Sequence, residues 1–542
     1  MARVAADQPT RLRHFQHPVA FWLGVVACVV GVGLHLPMYL GARDMGYRMA
    51  GMTPDPPMII GMVLIVAGLI LSLYGLVPRG SAAIRRQVGQ LRVRALDDAK
   101  LRWPHVALLI AMALAITIDV MKPTSLSFVA PGVAKEYGLK SAVNPLGHIP
   151  VTWLPLAGIT GTVIGSFLWG WVGDRIGRRA SILFAGILFV STSICGAMPG
   201  FGWNIAMCFA MGIGAGGMLP IAFALIAETI PARHRGWLIV LIGGDVAGAY
   251  VITSWLAGAL TPEFSWRILW LIGLPTGLLL IGLNRWIPES PRYLLATGQR
   301  SAAEAVMKKY GAAIVPEPVV AHDDRQTYRL LFRRPFVGPT VAITLLAVAV
   351  GLLTYGFQFW VPTNLQHLGL TAVTSDYVLR NSALLGLPLT AVVALLYGFW
   401  SSRRTIILLC TLTALAVGVF AVFGDSLVHN RTLLSLLLVI PLAGISSVVA
   451  VVTAYASEIY PTRVRSRGTG LTAGMTKAGG VLVLALVITA VHTPSLAVTA
   501  LIGAIPLLLA VILFGFAAPE THQRRLEDIA PTEATIALAE AA

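Results

Sequence analysis

The chain has 542 residues, 56% of them hydrophobic and only 12% charged, with a formal charge of +16 at pH 7. An average soluble domain is about a quarter charged, and no soluble core of this length hides so much apolar surface, so lipid must cover part of it. The placement of the basic residues, described below, excludes nucleic acid as the partner that this charge serves.

Fourteen apolar runs recur along the chain, each near the roughly 20 residues that a bilayer crossing takes. They lie near 19–40, 57–77, 105–131, 151–172, 180–198, 204–227, 237–260, 267–287, 337–361, 379–400, 405–424, 432–457, 469–492 and 496–517. The expectation is an all-α polytopic membrane protein. Arg3, Arg11 and Arg13 precede the first run as in a signal peptide, and Val25-Val26-Ala27-Cys28 resembles a lipoprotein cleavage box. The apolar run continues past Cys28 to Leu40, which favours an uncleaved span. With the amino terminus inside, 31 Lys and Arg fall on the inner side and seven outside, the positive-inside signature of a protein with both termini cytoplasmic. The basic stretch from Arg79 to Arg102 is then a topology anchor that can also meet anionic lipid. Cys28, Cys195, Cys208 and Cys410 all sit in apolar runs and form neither a disulfide framework nor a metal cluster.

An internal repeat organises the spans. E-T-I-P-A-R-H-R-G, from Glu228 to Gly236, has a counterpart in E-I-Y-P-T-R-V-R-S-R-G, from Glu458 to Gly468. Pro288-Glu289 and Pro519-Glu520 follow the last span of each copy, at almost the same offset as the two closing glycines. The loop with Asp174, Arg178 and Arg179 has a worn counterpart, S-S-R-R, ending at Arg404 and lacking the aspartate. The boundaries read from this are a tail at 1–18, two extra helices at 19–78 and a basic loop at 79–103. A six-helix bundle follows at 104–287, then a linker at 288–336, a parallel six-helix bundle at 337–517 and a tail at 518–542.

G-W-V-G-D-R-I-G-R-R, Gly170 to Arg179, resembles the signature loop between the second and third core helices of the major facilitator superfamily. P-E-S-P-R-Y-L, from Pro288, and P-E-T-H-Q-R-R-L-E-D-I, from Pro519, resemble its sugar-porter and metabolite–proton symporter branches. The resemblance covers about residues 104–530. It implies the major facilitator fold and alternating access. It departs from sugar porters in core helix 7: L-L-A-V-A-V-G-L-L, Leu345 to Leu353, lacks their glutamine pair. T-Y-G-F-Q-F-W-V-P-T, Thr354 to Thr363, looks more like organic-acid symporters or the organic-ion branch. Core helix 5 carries G-G-D-V-A-G, without the Gly-Pro of antiporters. Fourteen-helix drug exporters carry their extra pair between the halves, whereas here it comes first.

Two sets of charges are candidate functional residues. On the inner side, Asp174, Arg175, Arg178, Arg179, Glu228, Arg235, Glu289, Glu458, Arg465, Arg467 and Glu520 form a candidate gate whose pairs close and part together. The plainer alternative is a set of topology anchors and helix-end charges. Within spans, Asp119, Lys122, Asp245 and Lys477 are costly to insert and therefore face a cavity or a partner. Asp119 and Lys122 are three apart, hence on one face of core helix 1. Asp245 and Lys477 each lie nine residues after the repeat's closing glycine, about 13.5 Å into core helices 5 and 11. They are expected on opposite walls of a central cavity, with Lys122 or Asp119 as alternative partners. Tyr355 and Gln358, three apart in core helix 7, join Tyr250, Trp360, Asn364 and Asn381 as candidate cavity side chains. His148 and His492 read as interfacial, and A-A-E-A-V-M-K-K-Y, Ala302 to Tyr310, as a short amphipathic helix.

No P-loop, nucleotide fingerprint, zinc spacing or nucleophile–base constellation occurs, so no cofactor, metal or enzymatic activity is expected. The function expected is a secondary active transporter, a proton-coupled symporter of a small organic metabolite. An organic acid, zwitterion or heteroaromatic acid is favoured over a neutral sugar. An exporter or facilitator of the same fold, or a non-transporting scaffold, are the alternatives. The partners expected are substrate, protons and the lipid bilayer of the plasma membrane, with the oligomeric state left open.

Overall fold

The computed structural model describes residues 16–78, 92–96, 99–315, 331–334, 336–427, 430–460, 462–489 and 495–521. Side chains at 92, 94, 170, 171, 174, 220, 224, 227, 232, 315, 425, 427, 462–467 and 489 fall outside that description, as do His492 and most of the basic stretch at 79–102. Among the described residues, twelve helices are long and apolar enough to cross a membrane, and two more apolar helices, Trp153–Trp169 and Phe201–Ala215, are shorter. Fourteen runs were expected: the run at 204–227 breaks at Gly216-Gly217 into two shorter helices, whereas the run at 151–172 forms one 24-residue helix, Trp153–Ile176, of which the side chains only as far as Trp169 are described without a gap.

The chain opens with α1 (Pro18–Gly33), α2 (Leu36–Gly41) and α3 (Pro56–Leu76). The glycines of α1 and α3 let the two backbones touch: a methyl on Gly24 would lie 2.6 Å from the Gly68 carbonyl oxygen. Strand β1 (Arg92–Ala95) precedes α4 (Trp103–Glu136). Next come α5 (Trp153–Ile176), α6 (Arg178–Thr192), α7 (Phe201–Ala215) and α8 (Met218–Thr229). Helices α9 (Ala232–Gly243) and α10 (Val246–Phe264) are one crossing interrupted at Gly244-Asp245, and α11 (Ile268–Leu271) runs into α12 (Gly273–Leu283).

The linker forms α13 (Pro291–Ala296), α14 (Arg300–Tyr310) and strand β2 (Ala312–Val315). The amphipathic helix read at 302–310 is α14. The rest of the linker was expected to be irregular, but β2 pairs antiparallel with β1, Arg92 opposite Val315. That pairing joins segments that lie on either side of the whole first bundle in sequence, and four-residue strands carry no local signal for it. Val93 from β1 packs with Leu294, Ala303 and Met307 beneath the bundle.

The second half holds α15 (Val337–Leu353), a π-helical turn at Thr354–Gln358 and α16 (Val361–His367). It continues through α17 (Ala372–Phe399), α18 (Ser402–Leu427), α19 (Arg431–Ile459), α20 (Thr462–Thr489) and α21 (Leu496–Ala517).

Helices α1 and α3 pack on α6: Phe21, Val25 and Cys28 meet Ala180, Leu183 and Ile187. At the far end of the pair, Tyr39 donates to the Phe264 carbonyl at 2.7 Å. Glu136, the last residue of α4, accepts from the amides of Met49 (2.8 Å) and Ala50 (3.1 Å). The same carboxylate accepts from Trp266 (2.8 Å) and from the buried guanidinium of Arg267 (2.6 Å). The first two helices are thus clasped to the helices that follow them. All four cysteines are free and buried.

Candidate functional site

Helices before residue 287 meet helices after 337 along two seams. In the first, α9 and α10 lie against α17 and α19. Gly236 approaches Glu458 and Tyr397 at one end, Gly244 touches Thr390 midway, and Gly258 lies under Tyr377 at the other end. In the second, α20 lies against α5, with Gly474 beside Phe167. Three of the four deep charges, Asp119, Asp245 and Lys477, lie on helices that face the other half or on their direct neighbours, while Lys122 packs inside the first half.

Asp119 on α4 is buried, and its Oδ1 has no hydrogen-bond partner. Its electrostatic neighbour is Lys477 of α20. Lys477 donates to Ser166 Oγ, to the Gly216 carbonyl at 3.0 Å and to the Thr162 carbonyl at 3.5 Å. All three acceptors belong to the first half, so the ammonium ties α20 to α5 and to the turn before α8.

Asp119 and Lys122, placed on one face of core helix 1 by their spacing, form no ion pair in the structure. Lys122 is buried on the other side of α4, 5.8 Å from the centre of the Phe189 ring and against Gly273. Residues three apart fall short of a full helical turn, which leaves two side chains on one broad face free to aim into different neighbouring grooves. Of the alternative partners, Asp119 is the electrostatic neighbour of Lys477, whereas no contact joins Lys122 to Asp245. Asp245 stands at the break between α9 and α10 and accepts a short hydrogen bond from Thr117 Oγ1 of α4.

Around this level lie polar groups with no partner: Tyr250 OH, Trp360 Nε1, Thr363 Oγ1 and Asn364 Nδ2. Tyr250 packs on Phe128, ring centres 5.4 Å apart. Gln358 is buried in the π turn, while Tyr355 from the same turn lies over Gly480 of α20. The sequence reading missed Asp376. It lies buried in the second turn of α17 and interacts electrostatically with Tyr250. The apolar run begins at 379, but α17 starts a full two turns earlier, capped by Thr371 accepting from the Thr374 amide. Asn381 is exposed and takes Arg380 on its Oδ1 at 2.7 Å, away from the middle.

The motif charges occupy one end of the bundle. Gly177, with φ at +94°, turns the chain into α6, and a Cβ there would strike Glu289. Glu289 Oε1 caps α6, accepting from the amides of Arg178 (2.8 Å) and Arg179 (3.4 Å), and also from Ser290 (2.9 Å). Glu520 Oε1 does the same for α18 with Ser402 (3.0 Å), Arg403 (3.5 Å) and Thr521 (3.0 Å). Glu228 accepts from Ser290 Oγ and Glu458 from Thr521 Oγ, both at 2.6 Å. Around Glu228 stand Arg178 at 3.3 Å and Arg292 at 3.6 Å. Around Glu458 stand Tyr397 OH at 2.8 Å and, from the first half, the charge of Arg235. Arg179 instead donates through Nε to Asn284 at 2.8 Å. Arg175 lies in the last turn of α5. The side chains of Asp174, Arg465 and Arg467 lie outside the described residues. Burial pushes the Glu289 carboxyl up to about 7, against the three amide bonds and the Arg178 charge that favour its ionised form.

A sequence profile of the Major Facilitator Superfamily matches residues 108–482. Among curated proteins, the chain is similar to the niacin transporter NiaP of Acinetobacter baylyi, 25% identical over 70% of this chain and 85% of that one. It is also similar to the 4-hydroxybenzoate transporter PcaK of the same organism, 25% identical over 71% and 85%. Among solved structures, the proton:xylose symporter XylE bound to 6-bromo-6-deoxy-D-glucose superposes with a TM-score of 0.60 at 18% identity, over 80% of this chain and 98% of that one.

Proposed function

The chain belongs to the major facilitator superfamily, a family of multi-pass membrane transporters that move small molecules, and from this we propose that it is a proton-coupled symporter of a small organic acid. The observation that carries the reading is the electrostatic pairing of buried Asp119 with half-buried Lys477 at mid-bundle, where the two halves face each other. A carboxyl so enclosed is stable with a proton on it or with a cation beside it, which is what a proton carrier requires. A half-buried lysine ammonium is the natural partner for a substrate carboxylate once the halves part. The names of two relatives, a niacin and a 4-hydroxybenzoate transporter, point to aromatic monocarboxylates as the first class to try.

In this reading the motif end, with both termini, is cytoplasmic and the membrane is the plasma membrane. The halves are 104–287 and 337–517, and the two short apolar helices also cross, making fourteen spans. Helices α1 and α3 ride with the first half as a rigid attachment. Asp119, Asp245 and Lys477 line the substrate and proton path with Tyr355 and Gln358, while Lys122 acts as a packed counter-charge inside the first half. The motif charges form the cytoplasmic gate.

The test uses purified protein in proteoliposomes with nicotinate, 4-hydroxybenzoate, their amides and xylose. Wild type should accumulate an acid when the pH outside is lower, and Asp119→Asn should abolish accumulation while sparing counterflow. Accumulation that survives in Asp119→Asn would move the proton to another group, Asp245 first. Equal uptake of acids and amides would remove the acid preference, and counterflow with no response to pH in wild type would make the protein a facilitator.

A further inference from the structure

Lys477 has three N–H groups, and all three are taken by first-half acceptors: Ser166 Oγ, Gly216 O and Thr162 O. None of these carries a charge. An ammonium held only by neutral acceptors and largely withdrawn from water, as half-buried Lys477 is, is poorly compensated. The negative charge that reaches it is that of Asp119, across the seam on α4. The other titratable groups near that level are committed elsewhere. Asp245 takes the Thr117 hydroxyl. Lys122 faces Phe189 and Cys195. Tyr250 faces Asp376. Cys208 meets Cys195.

We propose that Lys477 is the coupling residue of this transporter: it locks α20 to α5 while Asp119 is ionised, and releases that seam when Asp119 takes up a proton. This rests on the reading of Asp119 as the proton carrier. The steps follow from charge. Ionised Asp119 compensates the ammonium, and the three bonds to α5 and the Gly216 turn hold the halves together. A proton on Asp119 leaves the ammonium without a counter-charge. It then moves toward water or toward an incoming carboxylate, and Ser166, Gly216 and Thr162 lose the donor that bridged them to the second half. A carboxylate substrate and the seam therefore compete for one ammonium, so proton and substrate favour the same open state.

The experiment measures the seam itself, without substrate. Ile164 on α5 and Leu482 on α20 are both about half exposed and carry spin labels as cysteines, with the four buried native cysteines replaced. Distances are read by double electron–electron resonance at pH 5.5 and pH 8. In wild type the population with a longer distance should rise at least threefold on acidification. Asp119→Asn should show the longer distance at both pH values. Lys477→Gln should also lose the pH response, Lys477→Arg should keep it, and Ser166→Ala should raise the longer population at pH 8 without touching either charge. A Lys477→Gln protein that still responds to pH, or an Asp119→Asn protein that stays closed at both pH values, overturns the inference. Seam motion that follows pH while wild-type transport ignores the proton gradient would instead sink the symport reading and leave the lock standing.

Discussion

The two copies of the motif cluster use the same backbone chemistry and different charges. Glu289 caps α6 as Glu520 caps α18, and Glu228 holds Ser290 as Glu458 holds Thr521. The copies diverge at the cations. Among the described side chains, Glu228 has two arginines from its own half, whereas Glu458 has a tyrosine from its own half and a cation, Arg235, from the other. The first cluster is therefore self-contained. The charge balance of the second depends on the halves meeting. Duplication kept the caps, which each bundle needs in every state, and let the charges specialise.

The largest expected effect separates the copies directly. Glu228→Ala takes the carboxylate from beside Arg178 and Arg292, both mostly buried, and should cost about 3 kcal/mol of stability, the lower end for breaking a buried pair. Glu458→Ala removes the hydrogen bonds from two uncharged donors, the Tyr397 and Thr521 hydroxyls, and should cost about 1 kcal/mol for each. Thermal denaturation in matched detergent reads the order, and a Glu458 variant less stable than the Glu228 variant breaks the comparison.

Next comes what the copies share. Glu289→Ala and Glu520→Ala each remove a helix cap and should each cost about 0.5–2 kcal/mol, equal within error. Glu289 adds a pH dependence. Its carboxyl is raised from 4.5 to about 7, chiefly by burial, so the protonated form is favoured in the folded chain. Its contribution to stability is thus full below about 4.5 and is lost as pH rises through about 7. Glu289→Gln, neutral throughout, should flatten the fall in Tm between pH 5 and pH 7.5. A slope unchanged by that substitution would show that Glu289 titrates as an ordinary carboxylate.

The smallest effect is conformational. Arg235→Gln removes the cross-half charge beside Glu458 and should shift the balance between open and closed motif ends by about 1 kcal/mol or less. Stability should stay put, while labelling of a cysteine near Trp237 by a thiol reagent quickens a few-fold. A change in Tm without a change in labelling would make Arg235 a structural residue of its own half.

How much of this was legible beforehand divides along one line. The matched spacing of the repeat's closing glycines, Gly236 and Gly468, and of its Pro-Glu pairs located the glutamates that the fold uses as paired caps. The cost of charge in lipid singled out Asp119, Lys122, Asp245 and Lys477. Asp119 as a partner for Lys477 stood among the alternatives, but the other neighbours were not legible. Spacing placed Asp119 and Lys122 on one face, and the bundle sent one toward Lys477 and the other toward Phe189. Asp376 escaped notice because Ser375, Asp376 and Tyr377 read as a polar edge, although a hydroxyl cap extends α17 through them. The β1–β2 ladder had no local signal at all.

The sequence by itself determined that the protein lives in a membrane, to which family it belongs, and which few polar residues must find company there. These follow from composition and from residue spacing along a single chain. The tertiary structure alone decided that Lys477 is bonded to α5 and the Gly216 turn, that Arg235 reaches across to Glu458, and that the first two helices are clasped through Glu136. Helical periodicity states which face a residue occupies. Only the packing of helices distant in sequence states what stands opposite, and for a buried charge that neighbour sets its role.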